Sequence, residues 1–171
     1  TEDELKKAVN NLKDAPLALI VAGECIYFSD GESNYSVKQQ LSLFDESLGR
    51  EQVFDALEEI MTKHGVISDD GKALLKYMDE YGINCKIVFD VGLAAYVVDS
   101  AQKDYSIESL IKHYMEGTDV SALAMFYLYL QLKDKVELYK NVYYDIEMPL
   151  TKVLYKMEGA GFAIDVNVLQ E

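Results

Sequence analysis

Cysteine, histidine and positive charge are all scarce in this chain, and each shortage removes a class of function. The two cysteines among 171 residues, Cys25 and Cys85, cannot build a disulfide framework and fit a reducing cytoplasm. The two histidines, His64 and His113, leave no His-rich zinc site and little scope for a histidine-based triad. No apolar run approaches the ~20 residues that cross a bilayer, so no membrane partner is expected. No signal peptide precedes Thr1, and with no initiating Met the sequence reads as an excised piece of a longer chain. Lys and Arg together number 16 against 30 Asp and Glu, a net charge of −14. Nucleic-acid binding draws on Lys and Arg to neutralise phosphates, so a free-standing DNA binder is disfavoured. The exception is an enzyme whose metals bridge its carboxylates to phosphate. What is abundant is apolar surface, at 50% of residues, enough to bury a core in one domain or a domain plus a fragment.

The pattern alternates between strand and helix. Thr1-Glu2-Asp3-Glu4 has the form of a capping box, and Leu5, Ala8, Val9 and Leu12 follow at helical spacing, predicting a helix over 2–13. After Pro16, the continuous run Leu17–Ala22 reads as a strand buried on both faces. Cys25–Phe28, the turn at Asp30-Gly31 and Asn34–Val37 form a hairpin. A connection with a short helix is expected over 39–49. A helix over Arg50–Lys63, a strand at Val66–Ser68 and a helix marked by Ala73, Leu74, Tyr77, Met78 and Tyr81 come next. Lys86–Phe89 is a strand, and Asp90 caps a helix through Val98. Ser106 and Asp119 are expected to cap two more helices, the second running to about residue 140. A last helix tolerates Pro149 near its first turn and stops at Gly159-Ala160-Gly161. Phe162-Ala163-Ile164 then reads as a strand, with Asp165 capping an unfinished helix. A hairpin followed by alternating strands and helices predicts an α/β fold, a mixed sheet flanked by helices.

Two stretches carry a specific resemblance. The run from Ile146-Glu147-Met148-Pro149-Leu150 through Val153-Leu154, Met157-Glu158 and Gly161 to Phe162-Ala163-Ile164-Asp165 is similar to a junction in bacterial family-A DNA polymerases. That junction joins the 3′–5′ exonuclease-type domain to the polymerase domain. The run Phe89-Asp90-Val91-Gly92-Leu93-Ala94-Ala95-Tyr96-Val97-Val98-Asp99, followed by Tyr105-Ser106-Ile107-Glu108-Ser109-Leu110, resembles an exonuclease-domain segment of the same family. The resemblance implies a ribonuclease H-like fold, an exonuclease-like domain over 1–140, and a connecting helix with the start of the polymerase domain over 141–171.

Active members of that family hydrolyse a phosphodiester with two metal ions held by carboxylates. The family supplies these from a D-x-E pair on the first strand, an Asp on a later helix and a Y-x-x-x-D near the end. Carried over by position, the D-x-E pair falls on Val21 and Gly23, the second Asp on Leu74, and the Asn before it on Asp70. The third motif falls on Leu123 and Tyr127. No Tyr anywhere in the sequence has an Asp four residues later. The resemblance therefore implies a lost metal site, with no catalytic residue and no cofactor, and Val21 and Leu74 are expected to fill the former cleft. With the polymerase motifs expected beyond Glu171, the fragment is expected not to be an enzyme itself. Its parent would be a DNA-directed DNA polymerase acting in replication or repair. Its partner would be the polymerase domain of the same chain, with DNA reached only through the parent, in a cytoplasmic monomer.

Other carboxylates have simpler readings. Asp30-Gly31-Glu32 is itself a D-x-E, but Asp-Gly between strands reads as a turn. Glu24 lies one step past the expected Glu and so on the other face of its strand. His64 reads as a helix-terminal residue favoured by the dipole. Asp69, Asp70, Asp90, Asp99 and Asp119 fall at helix boundaries as caps. Phe126-Tyr127-Leu128-Tyr129 is expected to form a buried helix face, and Cys25 and Cys85 to act as small buried hydrophobes. Two alternatives remain open on sequence. One is a weak metal-dependent 3′–5′ exonuclease using Asp30, Glu32, Asp70 and another carboxylate, and the other is an acidic module that captures a basic protein.

Overall fold

The structure, a computed structural model, describes residues 1–38 and 48–161. Five strands form one sheet: β1 (Leu17–Ala22), β2 (Cys25–Ser29), β3 (Asn34–Lys38), β4 (Val66–Ser68) and β5 (Ile87–Asp90), in the order β3-β2-β1-β4-β5. β1, β2 and β3 are antiparallel neighbours, whereas β4 and β5 run parallel to β1. The sheet is therefore mixed, and the α/β expectation holds. Strand bounds follow the sequence pattern to within a residue, because each run is ended by a local breaker such as Gly23 or Asp30-Gly31.

Helices cover both faces. α1 (Glu2–Asn10), α2 (Arg50–Lys63) and α3 (Gly71–Glu80) lie on one side; α4 (Val91–Val98), α5 (Ile107–Tyr114) and α6 (Ala122–Val136) lie on the other. The alternation of β1 sets this up. Leu17 and Leu19 enter the core with Phe54, Leu57 and Met61 of α2, while Ala18 and Ile20 enter the opposite core with Met125 and Leu128 of α6. A strand sandwiched in this way needs apolar residues at every position. The Thr1 capping box forms as its spacing demands, with Glu4 N–H donating to Thr1 Oγ1 and the Glu4 side chain reaching back.

Two local readings need correction. The long helix is capped by Ser121, not Asp119: Ser121 accepts from Ala124 N–H at 3.1 Å. Its α-helical part ends at Val136, and the chain then passes through a 3₁₀ turn (Glu137–Tyr139), α7 (Lys140–Val142) and a π-helical turn (Tyr143–Glu147) into α8 (Met148–Ala160). The irregular turns let Tyr143 reach the core, where it is fully buried against Phe89. Most of the 39–49 connection, and the Phe162–Ile164 strand with its Asp165 cap, lie outside the described residues. No helix among the described residues is long and apolar enough to cross a membrane.

Candidate functional site

Because β1, β4 and β5 are parallel, their C-terminal ends meet at one edge of the sheet, where open α/β sheets commonly place a site. A groove of about 640 Å³ opens there, lined by Val21 and Ala22 of β1, Asp69 and Asp70 after β4, Asp90 ending β5, and Glu108 on α5. Leu93, Tyr96, Tyr105 and Leu154 complete its apolar wall.

Asp90 is the most constrained of these groups, at 5% exposure. Its Oδ1 accepts from Leu93 N–H at 2.8 Å, capping α4, and its Oδ2 accepts from Gly71 N–H at 2.7 Å, holding the start of α3. One carboxylate thus joins two helix N-termini, where backbone dipoles favour negative charge. The backbone of Asp90 is fixed as well: its N–H donates to Tyr143 Oη at 2.8 Å, and that hydroxyl donates to the Asp90 carbonyl at 3.0 Å. Burial pushes the Asp90 carboxyl up to about 7, against the two N–H donors and with help from the charges of Asp70 and Asp69. Asp69, half-buried, is raised first by desolvation and further by Asp70 and Glu108. Asp70 caps α3 by accepting from Ala73 N–H at 3.0 Å.

The groove's Asp70 and Asp90 are engaged in holding helix ends. Both Asp90 oxygens are taken by backbone donors, Asp70 is engaged as a cap, and no three His, Cys, Asp or Glu among the described residues gather to hold a metal ion. Its carboxylates also give it the wrong sign for bare phosphate.

The four positions carried over from the polymerase pattern take different places. Val21 lines the groove, and Gly23 occupies the exposed β1–β2 turn at φ +55°. Leu74 is buried beneath α3 in the α1–α3 core, against which Val21 also packs. Tyr127 is 45% exposed on the outside of α6, which corrects the expectation that the whole Phe126–Tyr129 stretch is buried; Leu128 and Tyr129 are. The start of α6 sits at the far end of β1: Leu123 N–H donates to Asn34 Oδ1 at 3.3 Å, and Asn34 pairs with Ser29, the partner of Ala18.

The remaining carboxylates take structural places. Asp30 is buried in the hairpin turn and accepts from the N–H groups of Lys13, Glu32 and Ser33 at 2.9, 3.0 and 2.8 Å. It lies beside the start of β1, the edge opposite Asp70, so an exonuclease built on Asp30, Glu32 and Asp70 has no common centre. Glu32 is ion-paired with Lys13. Glu24 is exposed, 3.9 Å from Lys38. His64 is the C-cap of α2, its Nε2 3.2 Å from Asp14 Oδ1, and Asp99 is the C-cap of α4. Cys25 and Cys85 are half-buried rather than buried, and desolvation pushes the Cys85 thiol up to about 12. Sequence reasoning found the Asp90 cap but missed its bond to Gly71 and the Tyr143 brace, which join residues 19 and 53 positions apart.

No family model matches the chain. It is 30% identical to DNA polymerase I of Caldicellulosiruptor bescii across 92% of its own length, and it spans only 19% of that relative. It is also similar in fold to a solved structure described as the POL domain of Pol1 from M. smegmatis in complex with DNA primer-template and dNTP. There the TM-score is 0.77 at 17% identity, covering 98% of this chain and 32% of that one. The chain is homologous to a segment of DNA polymerase I, and the resemblance to family-A polymerases is supported over nearly its whole length. The expectation that the fragment is not itself an enzyme, with polymerase motifs absent, does not stand: its fold recurs almost entire within a solved structure described as a polymerase domain.

Proposed function

We propose that the chain serves DNA replication or repair as part of a cytoplasmic, monomeric family-A DNA polymerase. Within it, residues 1–140 form an exonuclease-like module that has lost its 3′–5′ hydrolytic site. Residues 141–171 lead into the polymerase body, against which the module packs and through which it reaches DNA.

The observation that carries this reading is an apolar stripe on the C-terminal helical run. Leu138, Val142, Ile146, Leu150 and Leu154 recur every four residues, with Val153 and Met157 beside them, and all are exposed, Leu138 to 84% and Met157 to 62%. A contiguous apolar face of this kind on a monomer marks a surface that another body covers. The stripe falls on the segment that resembles the junction with the polymerase domain, and the homologous polymerase continues well beyond the matched 19%. The groove supports the second half of the reading, since two of its carboxylates, Asp70 and Asp90, are engaged in capping helices.

Calorimetric titration of the chain with the polymerase body of the C. bescii relative tests the packing. The expected result is a one-to-one complex that Ile146→Lys with Leu150→Lys abolishes; no complex, or one indifferent to the pair, overturns it. Digestion of end-labelled single-stranded DNA with Mg²⁺ or Mn²⁺ tests the lost site. No shortening above the EDTA control is expected, and metal-dependent shortening defeats the proposal.

A further inference from the structure

A second cavity, of about 460 Å³, lies between α3, β5 and α8, sharing Asp90 and Thr151 with the acidic groove. Its walls are aliphatic: Leu75 of α3, Ile87 of β5, and Met148, Pro149 and Val153 of α8. No aromatic ring lines it, so it offers no platform for stacking a base. Lys86, Lys152 and Lys156 also line it, all three exposed and none in an ion pair among the described residues. In a chain of net charge −14, three lysines beside one aliphatic cavity are a local reversal of sign.

We propose that this cavity binds an amphipathic anion: a medium-length aliphatic chain ending in a carboxylate or phosphate. The volume falls within the roughly 300–1,000 Å³ of small-molecule sites, and an apolar pocket with a few charged groups is their usual make-up. Lysine suits such a head group because its ammonium acts as a point charge on a flexible apolar stem, and it accepts either oxyanion without the fixed fork that arginine imposes. The one carboxylate in the wall, Asp90, is 5% exposed and has both oxygens bonded to backbone N–H, so it offers an incoming chain little charge. The tail then runs along Leu75, Ile87 and Val153 while the head stays at the lysines in water.

The test is calorimetric titration of the chain with dodecanoate, dodecyl phosphate, dodecanol and inorganic phosphate, each below its aggregation concentration. A single site for dodecanoate or dodecyl phosphate is expected, with dodecanol and inorganic phosphate at least tenfold weaker; the stronger of the first two identifies the head group. The exposed triple variant Lys86→Gln, Lys152→Gln, Lys156→Gln, which keeps the apolar walls, is expected to weaken binding at least tenfold. In a Cys25→Ser background, bound ligand is expected to slow alkylation of Cys85, which lines the same cavity. Equal binding of dodecanol, binding at several sites, unaltered affinity in the triple variant or unprotected Cys85 each overturns the assignment, as does no binding at all. The polymerase proposal is independent of every one of these results.

Discussion

At the scale of the residue, Asp90 has an unusual effect on stability. A carboxyl whose folded pKa is lowered contributes stability above its unfolded pKa and loses it on acidification. Asp90 has the opposite sign: its folded pKa is raised to about 7, so between about pH 4 and 7 the folded state holds a proton that the unfolded state has released. Its contribution therefore falls as pH rises through that window and is level above it. Asp30 works in the usual direction: burial alone would raise it, but three backbone donors keep it below the ordinary carboxylate range. Asp90→Asn is expected to remove the downward slope between about pH 4 and 7 in urea unfolding. It should also cost about 1–3 kcal/mol at pH 5, because one amide nitrogen then faces a backbone N–H that has lost its acceptor. An unchanged slope would show that Asp90 does not titrate in that window. Such caps were legible in the sequence where they act over three residues, as at Thr1, Asp70, Asp90 and Ser106. The second bond of Asp90 and the Tyr143 hydroxyl were not, since nothing local records a partner 53 residues away.

At the scale of the element, breakers and periodicity made the strands and most helices readable. Gly65 shows why one breaker is not interchangeable with another. It joins α2 to β4 at φ +82°, and a Cβ there would stand 2.3 Å from Val88 Cγ1 and 3.0 Å from the Lys86 carbonyl. Gly82 also has a positive φ, +67°, but nothing lies within 4 Å of its missing Cβ. Gly82→Ala is expected to cost about 1–2 kcal/mol from backbone conformation alone. Gly65→Ala should cost roughly 1–3 kcal/mol more through overpacking. Thermal unfolding of the two variants side by side checks the difference, and equal losses would mean β5 yields freely to the added methyl. The break in helical regularity after Val136 was not legible, because the apolar spacing continues through it. The chain tightens and then widens where Tyr143 is seated against Phe89, a contact between distant parts of the sequence.

At the scale of the whole molecule, the order of hairpin and alternating units disclosed the sheet, whereas the groove was not legible. Val21, Gly23, Leu74 and Tyr127 occupy a groove wall, a turn, a core and an outer helix face. Val21, Asp69, Asp90 and Glu108 meet in the groove from separate elements, and nothing local in the chain records that they share one end of the sheet. The exposed stripe separates two kinds of stability. Ile146→Lys with Leu150→Lys is expected to leave the melting of the chain alone within about 0.5 kcal/mol, since neither side chain enters the core. A larger drop would mean the stripe already supports the isolated fold.

The tie between Tyr143 and Asp90 gives the molecule a mechanical character. The last helix meets α3 through exposed contacts, Tyr155 to Asp79 and Lys72 to Glu158, but it is moored to the sheet by a buried hydroxyl bonded on both sides of one peptide-bearing residue. A pull on the C-terminal end would peel the surface contacts first and then load the tip of β5, where Asp90 also holds α3 and α4. The end of that strand is thus a fulcrum, and strain carried in from whatever follows α8 would be delivered to two helices at once.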